Sequence, residues 1–220
     1  MAADSVALHA LTEVRFTARA GKHSASVRVT HWVTSLLFAC FLVSGVEILI
    51  SHPRFYWGDT GHSKMEALFS IPIPASRGHV PTGYNFVLKD QNSWSRSLHF
   101  QSAWFLLGTG LWYLIHGLVS GHFRQRLLRT GDYNTLQRRA YLAVVFVLFP
   151  LMFWTGLAMS PTFSGVIPLS ASIFGGQQSA RTIHFFLTLT LVAFVLGHVW
   201  MVYRNGFVEL VREMITGGQQ

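Results

Sequence analysis

Four apolar stretches constrain this chain more than any other feature. Each is long enough to cross a lipid bilayer, which takes roughly 20 mostly apolar residues in helical form. They run from about Thr30 to Ile50, Leu98 to Val119, Ala140 to Met159 and Ile183 to Tyr203. Backbone N–H and C=O groups must be satisfied internally in hydrocarbon, so runs of this length read as helices. The expected fold is an all-α membrane protein, a four-transmembrane-helix bundle. Pro150, inside the third run, predicts a kink rather than a break, because spanning helices tolerate proline. Composition supports this reading. Half of the 220 residues are hydrophobic and 12% are charged, against about 25% charged in soluble domains. An aromatic share of 14% does not fit a disordered chain. Cys40, the only cysteine, excludes a disulfide-stapled scaffold and reads as a small buried apolar residue.

The formal charge of +8 could suggest nucleic acid, but membrane proteins also concentrate Lys and Arg in their inner loops. Here the basic residues follow the spans. The 121–139 loop holds Arg124, Arg126, Arg129, Arg138 and Arg139. The N-terminal segment holds Arg15, Arg19, Lys22 and Arg28, and the C-terminal segment adds Arg204 and Arg212. The positive-inside rule then places both termini in the cytoplasm and the 51–97 and 160–182 loops outside. The expected organisation is a cytoplasmic tail over 1–29, a membrane domain over 30–203 and a second cytoplasmic tail over 204–220. Residues 1–29 have no apolar core before Val27, so the first span reads as a retained signal-anchor. The outer loop 51–97 is too long for a simple connection. It contains HPRFYWGDTG and IPIPASRGHVP. It reads either as a structured cap without a partner or as a docking platform for an extracytoplasmic subunit.

Ionisable residues inside spanning helices are costly and mark function by default. Five of the eleven histidines fall in or at the ends of the spans: His31, His99, His116, His184 and His198. His184 and His198 are 14 residues apart, so they sit about 40° apart in rotation and about 21 Å apart along the axis. One imidazole lies near each membrane surface, on one face. That spacing suits two stacked haem irons, each held axially by imidazole. It does not suit a structural zinc site, which needs three or four clustered ligands. His99 opens the second span at the level of His184, and His31 opens the first at the level of His198. The expected pairs are His99 with His184 and His31 with His198. His116 lies at the inner level and is the alternative to His31; otherwise it serves a quinone or proton site, or structure. No C-x-x-C-H is present, which excludes covalently attached c-type haem.

Arg28, Arg96 and Arg181 each precede a span histidine by three residues and so share its helix face. They either bind anionic haem propionates or simply mark helix ends. Gly45 lies 14 residues after His31, on the same face. Gly45, Gly108, Gly110, Gly156 and Gly197 either leave room for a flat ring or reflect close helix packing.

The motifs R-V-T-H-W at 28–32, S-G at 44–45, His99 opening the second span and the His184–His198 spacing together resemble one family. It is the bacterial di-haem cytochrome b561 / nickel-hydrogenase cytochrome b superfamily, which includes formate dehydrogenase gamma and thiosulfate reductase cytochrome b subunits. The resemblance covers about residues 25–210. It implies two b-type haems on His31, His99, His184 and His198. It also implies a quinone site near the inner haem, where His198, Trp200, Tyr203, Arg204, Trp32 and His116 lie. HPRFYWG at 52–58 suggests the branch found beside molybdopterin-dependent oxidoreductases. The expected function is a membrane-anchoring electron-transfer subunit of the bacterial inner membrane. It would link an extracytoplasmic redox partner, docked on the 51–97 and 160–182 loops, to the quinone pool. The competing expectation is a stand-alone superoxide:quinone oxidoreductase of the same fold. Its discriminating feature would be activity without a partner.

Overall fold

A computed structural model of the protein describes residues 24–62, 64–72, 92–121, 123 and 135–217. Four of its helices are long and apolar enough to cross a membrane. The first, α1, spans Ala25–Ser51; the Ser24 side chain caps it by accepting from the Val27 N–H at 3.4 Å. It ends at His52, whose N–H bonds back to Ile48 and Leu49, just before Pro53, which cannot continue the ladder. The second, α2, spans Asn92–Val119. The third span is built from α3 (Thr135–Ala143), a π-helical stretch over Val144–Leu148, and α4 (Phe149–Ala158). Short helices α5 (Pro161–Val166) and α6 (Leu169–Ser172) then lead to α7, Gln177–Arg204.

Three spans start five or six residues before the apolar runs expected from sequence. Their first turns are polar, so hydropathy alone does not mark them. Arg28, Arg96 and Arg181 therefore lie within helices α1, α2 and α7. The irregularity expected at Pro150 takes the form of the π-helical stretch that precedes it. The Phe149 N–H reaches the carbonyl of Val144, five residues back. The wider turn accommodates the proline ring, which would otherwise crowd the carbonyl of Phe146.

The bundle is built from two helix pairs, α1 along α2 and α4 along α7. Small residues lie inside it. Ser44, Ser102, Thr155, Ala158 and Ala180 are buried, while Leu36, Phe105 and Leu196 are about two-thirds exposed. This inside-out distribution is that of helices packed in lipid, where small interface residues bring backbones together and large apolar groups face the acyl chains.

The described part of the 51–97 loop forms a cap. β1 (Arg54–Phe55) pairs antiparallel with β2 (Phe69–Ser70). Phe55 stacks on Phe69 at 4.6 Å and meets Phe185 of α7 at 4.6 Å. The HPRFYWG segment then closes the start of α7. The Gly58 carbonyl accepts from the N–H groups of Gln178 and Ser179 at 2.9 and 3.2 Å. These are first-turn donors that a helix cannot satisfy by itself. The Gly58 N–H returns a bond to Ser179 Oγ at 2.7 Å, and Thr182 Oγ1 donates to the Tyr56 carbonyl at 2.8 Å. Most of IPIPASRGHVP lies outside the described residues, as do Arg15, Arg19, Lys22, Arg124, Arg126 and Arg129.

The segment after Arg204, expected as a cytoplasmic tail, contains a further helix. Gly206 turns the chain into α8, Phe207–Thr216, which closes on Gly217 in the left-handed conformation. Apolar residues at 207, 208, 210, 211, 214 and 215 form one stripe, the pattern of a helix lying in a membrane interface. The helix is pinned to the start of α1. Trp32 Nε1 donates to the Met214 carbonyl at 3.0 Å, and Arg28 donates to the Ile215 carbonyl at 2.9 Å. The two described ends of the chain therefore meet on one side of the bundle.

Candidate functional site

Helix α7 carries both histidines of the 14-residue pair, and each faces a histidine from the α1–α2 pair. The ring centres of His99 and His184 are 6.3 Å apart, and those of His31 and His198 are 6.2 Å apart. An imidazole–metal bond of about 2 Å, plus roughly 1.1 Å from nitrogen to ring centre, puts two imidazoles on one metal about 6.2 Å apart. Both pairs thus have the spacing for a single axially coordinated iron. Among the described residues, no cluster of three or more His, Cys, Asp or Glu could hold a metal ion.

The sequence left His31 and His116 open as the inner partner. It is His31 that faces His198. His116 sits elsewhere on α2, beside a cavity of about 310 Å³ lined by Trp112, Ile115, Val119 and Ser120. Its Nδ1 is buried without a hydrogen-bond partner among the described residues. Trp112 Nε1 ties this end of α2 to Ser26 of α1 at 2.9 Å.

The outer pair is held by side chains that sequence reading did not single out for this role. His99 Nδ1 lies 2.9 Å from Ser44 Oγ, and His184 Nδ1 lies 2.9 Å from Thr155 Oγ1. Each hydroxyl spends its proton on its own helix: Ser44 on the Cys40 carbonyl at 2.7 Å, Thr155 on the Leu151 carbonyl at 2.9 Å. With those protons so placed, each oxygen is an acceptor for the Nδ1–H tautomer of its histidine, and the Met152 backbone is a second hydrogen-bond partner for His184. In that tautomer Nε2 is left as the free donor atom. The inner pair rests against rings. His31 packs edge-on with Trp32 at 5.2 Å, and Phe194 stacks with His198 at 6.1 Å.

Gly45 and Gly156 follow the two hydroxyl residues directly. A Cβ added at Gly45 would stand 3.8 Å from His99 Cε1, and one at Gly156 would stand 3.6 Å from His184 Cε1. Gly108, Gly110 and Gly197 have open space beside them.

The three arginines have protein partners. Arg28 caps the end of α8 through the Ile215 carbonyl. Arg96 of α2 and Arg181 of α7 converge on one residue, His52. Arg96 reaches its Nε2 at 3.3 Å. Arg181 donates to its carbonyl and also lies over the Phe55 ring at 5.0 Å. The end of α1 and the starts of α2 and α7 are thus joined through the first residue of HPRFYWG.

The chain matches known proteins over nearly its whole described length. The family model for prokaryotic cytochrome b561 matches residues 22–217. A protein of Azospira oryzae named as a protein-methionine-sulfoxide reductase subunit, YedZ1, is 28% identical over 207 residues, covering 82% of this chain and 89% of that protein. No solved structure matches the chain. With four spans and the paired imidazoles already in place, the family match settles the class: the chain belongs to the prokaryotic cytochrome b561 family, membrane cytochromes b of the bacterial inner membrane that transfer electrons.

Proposed function

We propose that this chain is the membrane subunit of a two-part oxidoreductase, carrying electrons between an extracytoplasmic redox partner and the quinone pool. The observation that carries the proposal is the pair of imidazole couples, at 6.3 and 6.2 Å, separated by 14 residues of one helix. His99 with His184 would hold the outer b haem, and His31 with His198 the inner one. When bound, the haems supply one-electron carriers at two depths of the membrane.

The chain's own residues do the rest. Ser44 and Thr155 present the outer imidazoles with Nε2 free. The α7 backbone sets the two levels about 21 Å apart along the helix axis at 1.5 Å per residue. The cap over 52–72 and the α5–α6 segment form the outer face, which we assign to the partner. The name of the Azospira relative, a reductase subunit, supports a catalytic partner for this chain as well; HPRFYWG supports a molybdopterin-dependent one. Quinone would meet the chain near His198, Trp200 and Tyr203. There Arg204 is steadied over the Trp200 ring at 5.6 Å. The excess of basic residues on the side where the chain ends meet supports a cytoplasmic location for both termini.

The test is purification from native membranes. The proposal expects an extracytoplasmic oxidoreductase to copurify and a quinol to reduce the b haems of the complex. Isolation of the chain alone, with superoxide:quinone activity undiminished by removal of all partners, would overturn it.

A further inference from the structure

The two outer imidazoles are held by the same dipeptide pattern, once in each helix pair. On the α1–α2 side it is Ser44–Gly45 of α1 against His99 of α2; on the α4–α7 side it is Thr155–Gly156 of α4 against His184 of α7. In each, the hydroxyl residue is completely buried, at 0% exposure. Its proton is committed to the carbonyl four residues back, at 2.7 Å for Ser44 and 2.9 Å for Thr155, and its oxygen lies 2.9 Å from Nδ1. The following glycine sits beside Cε1 of the same ring. A hydroxyl inside a spanning helix ordinarily bonds its own carbonyl and stops there. These two also lie at hydrogen-bond distance from a histidine Nδ1 on the neighbouring helix, placed to accept its proton.

We propose that Ser44 and Thr155 are positioning residues that set the orientation and electron-donating strength of the outer ligand pair, and hence the reduction potential of the outer haem independently of the inner one. This rests on the ligand reading above. An acceptor on Nδ1–H raises the basicity of a ligating imidazole, which stabilises the ferric state. With two such acceptors, the outer iron is held at a lower potential than the ligands alone would give. The inner imidazoles contact the Trp32 and Phe194 rings, so changes at Ser44 or Thr155 should not reach them.

The experiment is a potentiometric titration of the full chain in detergent, with low-temperature EPR of the oxidised form. Ser44→Ala and Thr155→Val are compared with Ser44→Thr and Thr155→Ser, which keep the hydroxyl. His184→Ala is measured alongside. Each hydroxyl removal should raise the reduced-to-oxidised ratio of the outer haem at fixed ambient potential by about three- to tenfold, roughly 30–60 mV for one electron. Its ferric g-values should shift, the inner haem should stay unchanged, and the hydroxyl-bearing variants should return toward wild type. Outer haem lost from Ser44→Ala but kept by Ser44→Thr also supports the role. An outer haem that stays bound, with unchanged midpoint and g-values in both Ser44→Ala and Thr155→Val, overturns it. Retention of both haems by His184→Ala would instead overturn the ligand reading.

Discussion

Replacing Gly176 with alanine strikes the joint between the outer cap and α7, where the structure gives the size of the effect. Gly176 has φ +118° and ψ 171°, a region open essentially to glycine alone and costing a side-chain-bearing residue about 1–3 kcal/mol. A Cβ there would stand 2.4 Å from the Gly58 carbonyl carbon and 2.5 Å from its oxygen. Both are backbone atoms, so the overlap is relieved only by moving the cap. Against this stand the bonds from Gln178 and Ser179 to the Gly58 carbonyl, from Gly58 to Ser179, and from Thr182 to Tyr56. At about 1 kcal/mol net each, they contribute roughly 4 kcal/mol. With about 1–3 kcal/mol more for the overlap, strain and overlap together reach that figure, so the joint should open while α7, held by Thr155 at His184, stays in place. Hydrogen exchange reads the result directly. The amides of Gly58, Gln178 and Ser179 should exchange up to about a thousandfold faster, the equivalent of about 4 kcal/mol, and the haem spectrum should be unchanged. Exchange within tenfold of wild type at all three amides would refute the reasoning.

Gly45→Ala separates room for a ligand from helix packing. The new Cβ would meet His99 Cε1 at an ordinary contact distance of 3.8 Å, so the helices themselves have space for it. Thermal stability of the chain should change by less than about 1 kcal/mol, while outer haem content falls in the pyridine haemochrome assay; full haem retention would return Gly45 to a packing role. Arg28→Ala and Trp32→Ala should each release α8, seen as faster proteolysis after Arg204. The loss of one charge-assisted bond to the Ile215 carbonyl is worth about 1.5–3 kcal/mol and of one neutral bond to Met214 about 1 kcal/mol. Unchanged cleavage in both would remove α8's anchor. His116→Ala should keep both haems, because His31 is the residue facing His198; a one-haem spectrum would show that the wrong inner ligand was chosen.

The spans were legible because bilayer thickness fixes a length and hydrocarbon forbids charge, so each apolar run declares itself. That these histidines face one another was legible because fourteen residues return a helix to nearly the same face, which puts His184 and His198 on one side of α7 with partners at matching depths. The polar first turns of α1, α2 and α7 were missed because hydropathy marks only the part of a helix that lipid touches. The apolar stripe of α8 is visible in the sequence, but ten residues after the last span read as a tail without the anchoring bonds from Arg28 and Trp32. The arginines, expected one turn beyond the spans, lie in the first turns of the longer helices. Their convergence on His52 could not be foreseen, because it depends on how the outer loop folds back over α7. The roles of Ser44 and Thr155 were hidden for a different reason: hydroxyl residues in spanning helices usually serve their own backbone. The repeated pattern, a hydroxyl followed by glycine at 44–45 and 155–156, was nevertheless there to be read.

Haem ligation by the two histidine pairs is tested most directly by haem stoichiometry in the purified chain and in His184→Ala and His31→Ala. Two b haems per chain are expected in the wild type, and one in each variant, with the outer lost from the first and the inner from the second. A single haem in the wild type, or two in either variant, would contradict it.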